Sequence, residues 1–301
     1  MKKAALITAV LILIVLAASV NADPWQKTLN TDFTLTQNSY SNSWKGGASG
    51  NVSWVWNLNG VFEKQISPKF NFRNASRLSF GQSMTQDQET KQWSRPEKTT
   101  DLIDIDNLGR FTLDAYVDPY VAFRIQSEFV DASVRDFKRY FSPLTLTESA
   151  GAAKQIYKQD ANQLLTRLGF AFRQIMTKDI INTDPYESET NTENDGGFES
   201  VSSLNQSLSD NLNFTSNLTL FKAVFRSNSD ELTGPTRDYW KAVDVNWENQ
   251  LTAKVAKYVT VSLYTQLIYD KEIDKRGQFK ETLALGLTYS LFGEVKKDEG
   301  K

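Results

Sequence analysis

The sequence predicts an all-β fold: an antiparallel up-and-down transmembrane β-barrel of about twelve strands. Three observations indicate this fold. Segments of roughly 10 to 16 residues alternate between apolar and polar side chains. Long and short connections alternate between those segments, and the chain opens with a segment typical of an export signal.

The alternation divides each predicted strand into two faces. In residues 117–126 the apolar side chains Val121 and Phe123 occupy odd positions, whereas Asp118 and Arg124 occupy even ones. This pattern is typical of a strand with one face in an apolar medium and the other in water. A soluble two-sheet sandwich also alternates and is the alternative fold, but its strands average about five or six residues. The longer segments of this chain suit strands that are tilted across a bilayer.

Two classes of connection alternate along the chain. The predicted tight connections are at residues 64–69, 109–112, 174–178, 209–211 and 255–258. The longer polar ones are at residues 38–47, 84–99, 131–161, 184–196, 227–237 and 271–277. Together they give about twelve strands with both chain ends on the short-turn side, the arrangement of bacterial outer-membrane barrels with short periplasmic turns and long outward loops. Residues 176–182 make a poor strand, and ten strands is the alternative count.

The longest predicted connection, residues 131–161, contains a helix signal. Thr145 and Glu148 fit a capping box ahead of a short helix over residues 149–157, although Gly151 weakens that helix. Such a helix would cap the outer mouth or narrow the lumen. An exposed surface loop is the alternative interpretation.

The first 22 residues have the three parts of a cleaved signal peptide. Lys2 and Lys3 precede an apolar run, and Val20 and Ala22 have the small-residue spacing that signal peptidases cut. We therefore expect a signal peptide at residues 1–22, the barrel at residues 23–292 and a charged tail at residues 293–301. An export signal ahead of a barrel predicts the outer membrane of a Gram-negative bacterium.

The composition removes several kinds of chemistry. The chain has no cysteine and no histidine, so it lacks thiolate ligands, cysteine nucleophiles and the usual general base. A serine hydrolase would need a lysine or a carboxylate as its base, and no such constellation is visible. The net charge of −2 differs from the basic charge that nucleic-acid-binding proteins usually carry. We expect no enzymatic activity, no cofactor and no nucleic-acid partner.

The polar faces of the predicted strands carry charges of both signs. These candidate lumen residues are Arg73, Arg77, Asp104, Asp106, Asp118, Arg124, Glu128, Arg167, Arg173, Asp244 and Glu248. Arginines and carboxylates in a narrow barrel can form mutually satisfied bidentate pairs, and rings of charge can also select ions in a wet pore. A solvated or paired interior that any such barrel needs is the plainer interpretation.

The end of the last predicted strand resembles an assembly signal. Gly286, Tyr289, Leu291 and Phe292 resemble the terminal-strand pattern that barrel-assembly machinery recognises, although here a charged tail follows it. Three further stretches are similar to an uncharacterised Bacteroidota-type family of outer-membrane β-barrels, domain of unknown function 3078: residues 42–47, 101–106 and 140–151. This resemblance implies a barrel and its location, and it brings no catalytic residues.

Two functions fit these predictions. The first is a narrow passive channel for ions or small solutes, because the lumen face is polar. The second is a closed structural or surface-interaction barrel that binds a partner through its outward loops, which carry aromatic residues such as Trp93 and Tyr186. In both cases the expected partners are outer-membrane lipids and, during biogenesis, the barrel-assembly machinery.

Overall fold

The protein forms a single closed ring of antiparallel strands. The computed structural model describes residues 25–41, 49–134, 137–159 and 162–292. The strands are β1 (Gln26–Asn38), β2 (Asn51–Ser67), β3 (Phe70–Thr85), β4 (Glu97–Arg110), β5 (Asp118–Ser127), β6 (Val130–Val134), β7 (Phe137–Tyr140), β8 (Leu144–Gln159), β9 (Asn162–Thr183), β10 (Tyr186–Ser209), β11 (Leu212–Arg226), β12 (Val243–Ala256), β13 (Val259–Tyr269) and β14 (Gln278–Phe292). A short 3₁₀ helix spans Tyr239–Lys241.

Twelve of these strands make the barrel. Each pairs with its neighbour in chain order, except that β5 pairs with β8, and β14 returns to β1 to close the ring. Strands β6 and β7 form a separate two-stranded hairpin in the connection between β5 and β8. The predicted fold class and the count of twelve barrel strands are therefore confirmed. The sandwich alternative is wrong because the barrel strands form one ring rather than two stacked sheets.

The side-chain alternation decides which face of each strand is outside. On β14 the odd positions Leu283, Leu285 and Leu287 are 72%, 63% and 64% exposed. Buried apolar side chains instead lie in small clusters on the inward face, such as Leu108, Tyr120, Ala153 and Leu165. The wall is thus apolar outside and mixed inside. Across the described ranges, no helix is both long and apolar enough to cross a membrane.

Two predictions about the middle of the chain are wrong, and their errors compensate. Residues 149–157 are not a helix but part of strand β8, which pairs with β5 and β9 along its length. Residues 174–178 are not a turn, because β9 runs without interruption to Thr183. Strand β8 lies where the sequence predicts no strand, and the separate strand predicted over residues 176–182 is only the end of β9. The count of twelve is therefore correct, although β9 runs across the barrel in the opposite direction to the one predicted.

The two ends of the barrel differ. At the turn end, connections 68–69, 111–117, 160–161, 210–211 and 257–258 join successive strands. At the loop end, connections 39–50, 86–96, 128–143, 227–242 and 270–277 are longer, while only residues 184–185 join β9 to β10. The predicted signal peptide (residues 1–22) and charged tail (residues 293–301) lie outside the described residues.

Strands β9 and β10 project beyond the loop end as a hairpin. Pairing of β9 with β8 stops at Met176, and pairing of β10 with β11 begins at Asp195, so beyond these residues the two strands pair only with each other. The β6–β7 hairpin packs against this projection. The Phe137 and Tyr186 rings stack at 5.3 Å, and Lys178 Nζ donates to the Tyr140 carbonyl at 2.9 Å.

Candidate functional site: a charge network across the lumen

The inward direction is fixed by one contact that spans the barrel. Arg77 on β3 forms an ion pair with Glu248 on β12. Strands β3 and β12 are five places apart in the ring of twelve, so side chains that meet between them must cross the interior. Because successive strand residues face opposite sides, the strand register then assigns an inward or outward direction to every neighbouring position.

Arg77 is the centre of the network. Its Nη2 donates to Asp104 Oδ2 at 2.5 Å and to Glu248 Oε1 at 3.2 Å, while its Nη1 donates to Glu248 Oε2. The second partner of Asp104 is Arg124, whose Nε and Nη2 each donate to that carboxylate at 2.8 Å. Asp104 and Glu248 are only 3% and 6% exposed. Charge-assisted and bidentate bonds are the strong class of hydrogen bond, so this cluster firmly joins the four strands β3, β4, β5 and β12.

A second cluster lies beside the first, towards the turn end. Arg167 on β9 reaches Asp106 on β4 with an Nη2–Oδ2 distance of 3.0 Å, and its Nε lies 3.8 Å from Glu199 on β10. The Arg167 guanidinium also lies 5.8 Å from the ring centre of Tyr120. Because β4 and β9 are three places apart in the ring, this contact also crosses the lumen.

Charge pairs continue towards the loop end. Arg173 donates to Asp195 at 2.6 Å and to Asp244 at 3.3 Å, and its guanidinium lies 3.6 Å from the ring centre of Phe221. Above it, Arg226 pairs with Glu193 at 2.6 Å and with Glu272. A cavity of about 80 Å³ is bordered by Arg173, Glu193, Asp195, Arg226 and Glu272. The mouth is therefore lined by paired charges.

Another cluster braces the turn end. Lys158 on β8 contacts Glu63 on β2 at 2.8 Å, and Arg73 lies 3.8 Å from the same carboxylate. Arg110 Nε lies 3.8 Å from Asp118. The Lys158–Glu63 pair joins strands four places apart in the ring, so the interior is bridged at this end as well.

The structure brings most of the predicted lumen charges together. Arg77, Asp104, Arg124 and Glu248 form the central cluster; Asp106 and Arg167 form the next; Arg173 and Asp244 lie towards the loop end; Arg73 and Asp118 lie near the turn end. Glu128 is the exception. It follows the end of β5 and pairs with Lys98 at the loop end rather than inside the strand wall.

Several members of the network were not predicted as site residues. They are Glu63, Arg110, Lys158, Asp195, Glu199 and Arg226. Asp195 fell in a segment interpreted as a loop and Lys158 in the segment interpreted as a helix or loop. Asp195 and Glu199 could have been recognised from their spacing along β10. They occupy alternate positions with Gly197 between them, so all three lie on the same face of the strand.

The predicted assembly residues lie on the strand that closes the barrel. Gly286 pairs with Thr34 and Tyr289 with Thr31, and the backbone of Phe292 pairs with Leu29. Tyr289 and Leu291 are 54% and 50% exposed on the outer face. Their role in assembly stays a prediction.

A charged contact also orders the projection at the loop end. Arg139 of β7 contacts Asp131 of β6 at 2.5 Å and donates to the Lys178 carbonyl of β9 at 2.5 Å. Burial pushes the pKa of Asp131 upward, but hydrogen bonds from Ser133 and the charge of Arg139 hold that pKa below its ordinary value. In the part of the chain that the structure describes, no group of three acidic side chains is arranged to hold a metal ion.

One family matches part of the chain. Residues 35–132 match the family described as "Protein of unknown function (DUF3078)". The resemblance to that domain of unknown function is thus confirmed over strands β2 to β5, and the Bacteroidota-type origin stays a prediction. No curated protein matches the chain.

Two solved structures illustrate the similarity at the level of the whole chain. The translocator domain of the autotransporter NalP from Neisseria meningitidis is 10% identical, with 93% of this chain and 92% of that one covered and a TM-score of 0.40. An outer membrane channel from Pseudomonas putida F1 is also 10% identical, with 91% and 96% covered and a TM-score of 0.39.

Proposed function

We propose that the protein is an outer-membrane β-barrel whose lumen is closed by its own ion pairs and which acts through its loop end. The proposed location is supported by the outer wall, where apolar side chains such as Phe170, Phe198 and Leu283 are exposed. In water such a surface would aggregate, whereas in a bilayer it is solvated by lipid. A closed ring leaves no unpaired strand edge, which is the condition for strands to cross hydrocarbon.

A single observation supports closure of the lumen: Arg77 links Asp104 on one wall to Glu248 on the nearly opposite wall. An open diffusion pore needs a continuous water-filled path, but here a guanidinium and two carboxylates occupy the centre. The Lys158–Glu63 pair bridges the lumen a second time near the turn end. A solute would have to separate ion pairs at both levels.

A barrel with a closed lumen can contact soluble partners only through the segments that lie outside the membrane. The β9–β10 hairpin extends beyond the loop end and carries Glu187, Glu189 and Glu193 along one strand. It is supported by the β6–β7 hairpin through the Phe137–Tyr186 stack. We therefore place partner contact on this projection, without a non-protein cofactor or a catalytic group.

A narrow passage for ions is the second candidate function. The observation in its favour is that charged side chains follow one another from the mouth, at Arg226 and Glu272, to Glu63 near the turn end. Charged rings of this kind select ions in open channels. The two candidates differ in whether the resting barrel conducts.

Conductance in planar bilayers tests the proposal. The purified wild-type barrel is expected to give no steady conductance. A variant in which Arg77, Glu248, Lys158 and Glu63 are all replaced by Ser is expected to give stepwise currents, because the central bridge and the bridge near the turn end are then both gone. The matched control is Arg237→Ser with Asp238→Ser, an exposed loop pair whose removal leaves the lumen intact. Steady currents from the wild type would instead establish the narrow passage. Release of the native protein from membranes by carbonate alone would overturn the proposed location.

A further inference from the structure

Glu148 occupies an unexpected place on the barrel wall. Its neighbour Ser149 faces inward, where its hydroxyl donates to Glu199 at 3.4 Å. Glu148 therefore points outward, and its side chain is exposed. In the strand register it stands between Phe123 of β5 and Phe172 of β9, both of which share its outward direction.

This carboxylate lies within the apolar band rather than at its edge. Towards the loop end the next outward positions on β8 are Leu146 and Leu144, and towards the turn end they are Ala150 and Ala152. An ionisable group facing hydrocarbon is costly and rare, and such residues are usually paired and functional. Within the described ranges Glu148 has no ion pair. Its partner should therefore come from another molecule.

The chain itself offers a complementary charge. Lys222 on β11 is also exposed and faces outward, because its neighbours Phe221 and Ala223 are buried on the inward face. It pairs in register with the outward residues Phe198 and Val243. No ion pair of Lys222 occurs in the described part of the chain either. A long lysine side chain can extend along an apolar surface to place its ammonium group several ångströms away.

We propose that copies of this chain associate side by side in the membrane through a Glu148–Lys222 ion pair. Glu148 lies on β8 and Lys222 on β11, three places further round the ring. The contact thus joins two different surfaces, which makes it heterologous. Such contacts in a common membrane plane close into a ring of three or more copies rather than a twofold dimer. This inference rests on the proposed membrane location but not on whether the lumen is closed.

The absence of native cysteine allows a clean crosslinking test. Glu148→Cys and Lys222→Cys are made on separate chains with tags of different size and are coexpressed, and their membranes are then treated with a bifunctional maleimide, because a Glu–Lys ion pair holds the two backbones too far apart for a direct disulfide. The expected result is a mixed crosslinked dimer, with neither variant crosslinking to itself. Self-crosslinking of Glu148→Cys would indicate a twofold contact and would overturn the inference, as would the absence of any crosslink.

Charge reversal supplies the second test. Glu148→Lys is expected to convert the oligomer into monomers in native mass spectrometry from mild detergent, and adding Lys222→Glu is expected to restore the oligomer. The control is Glu281→Lys, an exposed outward carboxylate on β14 near the loop end, which should leave the oligomer unchanged. A wild-type barrel that requires detergent but is monomeric in lipid nanodiscs would overturn this inference alone. A protein that requires no detergent would overturn the proposed location instead.

Discussion

The Tyr120 hydroxyl lies directly over Gly169: a Cβ atom built on that glycine would stand 2.6 Å from the Tyr120 oxygen. Gly151 lies between them in the strand register, opposite both residues. A Cβ atom on Gly151 would meet the Leu168 carbonyl oxygen at 2.2 Å. The two glycines leave room on the inner wall for a tyrosine ring that is only 2% exposed.

Filling this space should destabilise the barrel. Gly169→Val is expected to lower the free energy of unfolding by about 1–3 kcal/mol, the usual cost of overpacking. Both the Ala150 carbonyl and the Tyr120 side chain would have to move. Urea titration of the refolded protein in lipid vesicles measures this loss. Gly277→Ala is the control, since its nearest side-chain neighbour, Leu267, is at an ordinary 3.5 Å. Equal stabilities for the two variants would contradict the packing described.

Removing the central arginine should cost more than removing the whole bridge. Arg77→Met leaves Asp104 and Glu248 with fewer cationic partners in a buried site, and breaking a buried pair in this way costs about 3 kcal/mol or more. Glu248→Gln added to that variant should recover part of the loss, because one unpaired charge is then gone. The unfolding free energies of the single and double variants in vesicles test this. A double variant that is less stable than Arg77→Met alone would argue against the bridge.

The sequence predicts strands well where the outward side chains are large. On β2 the outward positions include Trp54, Trp56 and Leu58, so the alternation is plain. On β8 the outward face carries Glu148 and Ala150 instead, and the pattern of Thr145 and Glu148 imitates a helix cap. The strand was missed because neither small nor charged outward residues produce an apolar stripe.

The charge network could be predicted as a set but not as pairs. Alternation alone places Arg77 and Asp104 on inward faces. Their contact depends on the register between β3 and β4. A slip of one residue would turn the side chains of the shifted strand to the opposite face of the wall. The bridge to Glu248 depends further on ring closure and lumen width, and these properties emerge only when all twelve strands are assembled.

The projecting hairpin should be reachable from outside the cell. Glu187→Cys, near the hairpin tip, is expected to react with a membrane-impermeant maleimide on intact cells. Asp210→Cys, in the two-residue connection at the turn end, is expected to react only after the outer membrane is permeabilised. The chain has no other cysteine, so the labelling reports one site each time. The reverse pattern would invert the proposed orientation.

The end of β14 should matter for assembly in cells more than for stability. Tyr289→Ala combined with Leu291→Ala is expected to lower the amount of folded barrel several-fold, as judged by heat-modifiable migration on gels. Refolding of the purified variant into detergent should be nearly unchanged, because both side chains lie on the outer face. Phe279→Ala is the control, because Phe279 lies on the same strand and is 66% exposed. If the control reduces assembly as much, residues 289 and 291 carry no special signal.

The junction of β1 with β14 sets the order in which this polypeptide can become a cylinder. The two strands pair over residues 29–34 only, whereas β1 and β2 pair along the whole of β1. Ser290 donates to Asn30 at 2.6 Å across a separation of 260 residues, the greatest sequence distance among the side-chain bonds described. Neighbouring strands can pair as soon as both have been synthesised, but β1 can pair with β14 only after β14 has been synthesised and exported. Until then β1 and β14 each have one edge without a hydrogen-bonded neighbour. Such an edge can pair with a strand of another protein, so the cell has to shield it.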